Sequence, residues 1–203
     1  MYSLRRTLKP AHDPVSVSEV KLYTHITHDV EDSRISEWIK AGCELAEDFQ
    51  RRSYYTQKWE LSLDGWWTGS LHLPRPPILS VESVKYYGTD NAEHEFPLTD
   101  LIVDLDAEPA RLAPAYGVSW PTTMLRDINA VKIAYKAGYA DADTVSSDMV
   151  LNAIPSAVKD AICFYCAWRN EHRAESPLEP PWLFYSILMP QRIFRTNPFE
   201  GEK

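Results

Sequence analysis

The chain has 203 residues, 44% of them hydrophobic and 12% aromatic, with a formal net charge of −8. That is enough apolar material for one domain with a real core, and it excludes wholesale disorder. The acidic balance excludes a global attraction to nucleic acid or anionic lipid, but is compatible with a surface that DNA slides past without sticking.

In chain order, residues 1–14 are polar, contain Pro10 and Pro14, and read as an extended arm. Ser16 and Glu19 form a capping-box pattern. A short helix over about Val17–Thr27 then presents Val20, Tyr23 and Ile26 to a core. The second helix, Asp29–Arg52, places Ile35, Trp38, Ile39, Gly42, Leu45, Ala46 and Phe49 on one stripe. Asp29, Glu31 and Asp32 at its start and Arg51–Arg52 at its end suit the helix dipole. On this reading Trp38 and Leu45 are buried against a helix near 156–173, and Leu45→Ala costs roughly 2–5 kcal/mol.

After Ser53 the period changes to two. Trp59, Leu61 and Leu63 alternate with polar residues, Leu71 and Leu73 follow, and Val84 and Tyr86 lie on a further strand. Gly88–Asn91 is turn chemistry, folding that strand back through His94–Phe96. Leu101, Val103 and Leu105 alternate next, and Val131, Ile133 and Tyr135 give the last strand. The block 54–137 is expected to be an antiparallel region of five to seven strands with one buried face. Pro74, Pro76 and Pro77 fix φ and donate no ladder hydrogen bonds, so they are expected to aim the strand that follows and to blunt a sheet edge.

Helix resumes near Pro155, with Val158, Ala161, Ile162 and Tyr165 as its buried stripe, and runs to about Arg173. The last segment is too apolar for a solvated tail and too rich in proline for one long helix. The fold class is α+β. Residues 14–53 and 150–174 form N- and C-terminal helices packed together, 54–137 is the inserted antiparallel β region, and 175–203 is an extended tail.

Motifs that carry chemistry are sparse. There is no phosphate-cradling glycine loop, and Gly65-Trp-Trp-Thr-Gly69 has Trp67 where a nucleophile elbow needs serine. Cys163-Phe-Tyr-Cys166 lies inside a helix and reads as small core residues, not a metal or redox pair. The three cysteines do not make a disulfide scaffold and fit a reducing compartment. His25 and His28 with Asp29 and Asp32 could ligate zinc, but read more simply as a helix end followed by an acidic helix start. Asp104, Asp106 and Glu108 could suit Mg²⁺ or Ca²⁺, but read as the polar face of a strand entering a turn. No catalytic residue, cofactor or metal is expected. The N-terminal stretch lacks the apolar run of a secretory signal, and the uncharged run Pro180–Gln191 is too short for a bilayer. The expectation is a soluble protein made inside the cell, with no membrane partner.

The segments VSVSEVKLYTHI, YYTQKWELSLDGW, LHLPRPPILSVESVKYYG, VDLDAEPARL, SWPTTMLRDINAVKIAYKAGY and IPSAVKDAICFYCAWRNEHR occur in that order. Together, over about residues 14–195, they resemble the head–tail connector (adaptor) family of tailed double-stranded DNA bacteriophages, in its long branch with a β insertion. The resemblance implies a structural virion protein made in the host bacterial cytoplasm. It implies a ring of about twelve subunits at the head–tail junction, docked beneath the portal protein. Such a ring continues the DNA channel, without sequence-specific binding, and offers a platform for the neck or tail-completion protein. Trp182, Phe184, Tyr185, Leu188, Ile193 and Phe194 are the expected oligomer or portal interface, so deleting 176–203 is expected to leave a folded chain that no longer assembles. The alternatives are a tail-completion or neck ring protein, and a metal-dependent DNA-packaging accessory enzyme using Asp104, Asp106 and Glu108.

Overall fold

A computed structural model of the chain describes residues 1–10, 12–139, 154–173 and 179–194. The expected helix start at 150–153 and the tail residues 174–178 and 195–203 lie outside the described residues. The fold is α+β, with the helices gathered around one hydrophobic core and the strands around another.

Helix α1 spans Val17–Thr24, and its capping box is complete. The Glu19 backbone N–H donates to Ser16 Oγ at 3.2 Å, and the Ser16 N–H donates to Glu19 Oε2 at 2.7 Å. It stops short of Thr27 because His25 turns left-handed at φ 57°. Helix α2 spans Asp32–Gln50 and ends the same way at Arg51 (φ 58°). Helix α3 spans Ser156–Glu171, and its stripe of Val158, Ala161, Ile162 and Tyr165 is buried. The two long helices approach most closely at Gly42, where a Cβ would lie 2.8 Å from Tyr165 Cδ1.

One residue of the expected α2 stripe is misplaced. Leu45 is 37% exposed, whereas Ile39 and Ala46 are buried and Glu47 and Gln50 take the rest of the inward arc. The C-terminal half of α2 faces a polar junction with the strands, which turns Leu45 toward solvent. Leu45→Ala is therefore expected to cost under about 1 kcal/mol and Ile39→Ala about 2–5 kcal/mol, measured by denaturant titration.

The strands form two sheets. Strands β1 (Tyr2–Leu8), β2 (Gln57–Leu63), β8 (Val131–Ala137), β4 (Ile78–Tyr87) and β5 (Glu93–Phe96) lie side by side in that order, all antiparallel. Strands β3 (Leu71–His72), β7 (Arg111–Pro114) and β6 (Leu101–Asp104) make the smaller sheet. Block 54–137 thus supplies seven strands, split between two sheets. Trp59, Leu61, Leu63, Ile133 and Tyr135 point into the core between them, beside a cluster in which Trp66 stacks on Trp120 at 4.5 Å. The opposite face of the large sheet is charged: Glu60 meets Arg5 and Lys132, and Glu82 meets Lys58 and Lys136.

Residues 2–8 are extended as expected, but they are a paired edge strand and not a free arm. Arg6 sits at an inward position opposite Trp59, which hides the alternation in the sequence. The proline run enters β4, an interior strand; the sheet edges are β1 and β5. Its carbonyls fix the sheet against the chain leaving α2. Pro76 O accepts from Ser53 N–H at 3.1 Å, Pro77 O from Gly138 N–H at 2.8 Å, and Pro74 O from the Tyr135 hydroxyl at 2.9 Å. The prolines aim the sheet relative to the helices, but they do not protect an edge strand.

Candidate assembly surfaces

The C-terminal segment contradicts the expectation of an extended tail. Trp182–Leu188 is a helix, α4, continued by a 3-10 turn over Met189–Gln191. Pro181 occupies the N-cap, so the prolines bracket the helix and leave its interior free of them. Phe184 and Leu188 are 0% exposed and pack into the helical core with Tyr165, whose ring centroid lies 5.7 Å from that of Phe184. They fill the core of their own chain and cannot anchor another. Tyr185 and Ile193 are half-buried, and Tyr185 lies 4.9 Å from Phe49. Of the six expected interface residues, Trp182 (78% exposed) and Phe194 (72%) face solvent.

A buried polar junction holds this segment in place. Gln50 Nε2 donates to Leu188 O at 2.7 Å, and the Ile193 N–H donates to Gln50 O at 2.9 Å. Arg52 Nε donates to Gln191 O at 2.6 Å, while its guanidinium grips both carboxylate oxygens of Glu108. Gln50 Oε1 accepts from the Tyr54 hydroxyl at 2.7 Å. Glu47 Oε1 accepts from the Tyr54 N–H at 2.8 Å and from Gln57 Nε2 at 2.7 Å, with Arg6 at 3.5 Å on the other oxygen. Helix α2, both ends of the β region and α4 meet here. The sequence signal was slight: two polar residues, Glu47 and Gln50, three apart on the stripe side of an amphipathic helix.

Burial raises the Glu47 carboxyl above its ordinary value, against the lowering effect of its hydrogen bonds. A carboxyl raised on folding contributes most below its unfolded pKa, and that contribution is lost as pH rises through the folded value. Glu47→Gln is expected to remove this component, giving a shallower fall in stability between pH 4.5 and neutrality, measured by chemical denaturation across that range.

The other flagged clusters are dispersed by geometry. Cys163 and Cys166 lie inside α3, and burial pushes their thiols up to about 11 and about 12. Asp29 and Asp32 share Lys21, and His25 is the left-handed cap of α1. Asp104 is held by Arg111 at 2.5 Å and Glu108 by Arg52, so two of the three carboxylates have separate cationic partners. Among the described residues no group of three His, Cys, Asp or Glu could hold a metal ion, and no helix is long and apolar enough to cross a membrane. Chelator is expected to leave the melting temperature unchanged; one zinc per chain by elemental analysis would contradict this.

The structure also exposes apolar residues that periodicity assigned to no role. Leu22 (80% exposed) and Val30 (88%) lie on and after α1, and Leu183 (49%) stands beside Trp182 on α4. Tyr23, expected on the core side of α1, is instead 50% exposed, because the helix ends at Thr24 and buries Val20 alone. Tyr116, Met124 and Ile128 project from the long connection between β7 and β8.

No protein-family model and no curated protein matches the chain. Solved structures do. A chain from the virion of a native gene transfer agent (GTA) particle superposes with TM-score 0.73 at 16% identity, covering 98% of this chain and 99% of that one. A chain from the neck of the empty GTA particle, computed with C6 symmetry, gives 0.74 at 17% identity, covering 99% and 100%. The chain has the fold of GTA neck chains. A third match, from the neck of the native GTA particle computed with C12 symmetry, gives 0.72 at 17% identity with the same coverage. These likenesses thus extend over 98–99% of the chain.

Proposed function

We propose that the chain is a structural ring protein of a virion neck. It sits at the head–tail junction beneath the portal, extends the DNA channel and presents a platform to the next neck or tail protein. The observation that carries this reading is whole-length likeness to neck chains from particles computed with C6 and C12 symmetry. The resemblance of its ordered segments to those of phage head–tail connectors points the same way. A ring of twelve would carry roughly −100 before counterions, and such a channel repels phosphates and lets DNA pass. Of the six expected interface residues, Trp182 and Phe194 are left to contact other chains.

In the host that makes the particle, removing this chain should yield DNA-filled heads without tails, and adding purified chain to those heads should restore tail joining. Normal tailed particles in its absence would overturn the proposal. Asp104→Asn with Asp106→Asn should leave that joining activity intact; its loss would favour the metal-dependent enzyme.

A further inference from the structure

A subunit that repeats around a ring needs two different complementary surfaces on opposite flanks, because head-to-tail contacts close rings whereas self-complementary ones close dimers. The helices present such a pair. Helix α1 meets the side of α3 that carries Lys159 and Cys163: Glu19 approaches Lys159 at 3.8 Å and acts on the Cys163 thiol. Helix α4 meets the side that carries Tyr165. Around the helix Tyr165 lies about 120° from Lys159 and about 160° from Cys163, so α1 and α4 sit on different flanks of α3.

The two flanks differ in shape and charge. Beside α1 lies a groove of about 660 Å³ with Val17, Leu22 and Ile26 in its wall, within the roughly 300–1,000 Å³ of sites that seat a sizeable apolar group. Asp29 and Asp32 on its rim share the single ammonium of Lys21, which leaves one negative charge over. The projecting ridge is the segment Trp182–Phe194, whose two end residues stand in solvent. Arg192 lies against Phe49 at 4.5 Å and Phe194 at 5.6 Å, and no carboxylate pairs with it among the described residues. Groove and ridge are thus hollow against projecting, and acidic against basic.

We infer that in the ring proposed above, on which this inference rests, the Trp182–Phe194 ridge of one subunit seats in the α1 groove of the next copy, with Arg192 facing Asp29. Aromatic and arginine side chains are the residues that most often anchor such contacts.

The test uses two full-length variants, Leu22→Asp in the groove and Trp182→Asp on the ridge, with Leu22→Ser and Trp182→Ser as a second pair should either fail to fold. Both positions are exposed, so the melting temperature should stay at the wild-type value. Native mass is the readout. Each variant alone should lose ring assembly at least tenfold relative to wild type. Mixed one to one, they retain a single competent contact, the ridge of the first in the groove of the second. They should stop at a dimer of twice the 23.3 kDa chain mass. Rings from either variant alone or from the mixture would overturn the inference while leaving the ring reading intact. So would two monomeric variants that fail to dimerise when mixed. Wild-type chain that never forms rings would instead overturn the reading beneath it.

Discussion

Phe184→Ala is expected to cost about 3–5 kcal/mol, the range for emptying a fully buried phenylalanine site. In a chain of this length that lowers the melting temperature by roughly 6–20 °C. Phe184 is 0% exposed, meets the Tyr165 and Tyr185 rings at 5.7 and 5.3 Å, and belongs to the core formed by α2 and α3. Deleting the whole C-terminal segment goes further. It removes Leu188 as well, and it strips Gln50 and Arg52 of the backbone carbonyls they now reach. Each buried donor left without a partner adds about 1–3 kcal/mol. A chain ending at residue 173 should therefore unfold or aggregate. Thermal denaturation by circular dichroism measures both effects, and a truncated chain with native helix content and melting temperature would restore the tail to a purely intermolecular role.

Gly138→Ala is the second large effect, and it acts through the backbone. Gly138 has φ +128°, a region closed to residues with a Cβ, and an added Cβ would lie 2.2 Å from Tyr55 O and 2.4 Å from its carbonyl carbon. Neither contact can relax by rotating a side chain. The Gly138 N–H is fixed on Pro77 O and the next N–H on Tyr54 O, so β8 leaves the sheet through a crossing that three segments share. The strain and the displaced backbone together are expected to cost about 3 kcal/mol or more. Gly65→Ala, where nothing lies within 4 Å of an added Cβ, should change stability by less than about 0.5 kcal/mol. Denaturant titration of both variants makes the comparison; equal stability would mean that the crossing is not as tight as its geometry.

What could be read in the sequence was whatever local chemistry decides. The capping box at Ser16 and Glu19 needs two intervening residues and nothing else. The hairpin at Gly88–Asn91 and the buried stripe of α3 are likewise local, and all three formed as expected. Errors arose where a distant partner overrides the pattern. Leu45 fits the α2 stripe, but the β region that packs against the end of α2 buries Glu47 and Gln50 instead. Strand β1 escaped notice because Arg6, at an inward position, is satisfied by Glu47, Gln57 and the Trp59 ring, which lie 41 to 53 residues away. β7 is four residues long, ends in Pro114 and pairs on both sides with strands of its own small sheet.

The C-terminal segment shows most clearly how punctuation misleads. Its prolines argued against a long helix, and no long helix is there. Seven residues between Pro181 and Met189 were enough for two turns, and two turns suffice to bury Phe184 and Leu188. Splitting an apolar helix between core and surface cannot be read without knowing what it packs against. The exposed remainder, Trp182 and Phe194, is the part of the expected interface still open to a partner.

We propose that this chain works as a ring. Native mass spectrometry of the purified full-length protein, alone and mixed with portal, with electron-microscope class averages of the same samples, tests it most directly. Closed rings of cyclic symmetry, near twelve subunits, that stack coaxially on the portal are the expected result. A chain that stays monomeric at high concentration and beside its portal would contradict it.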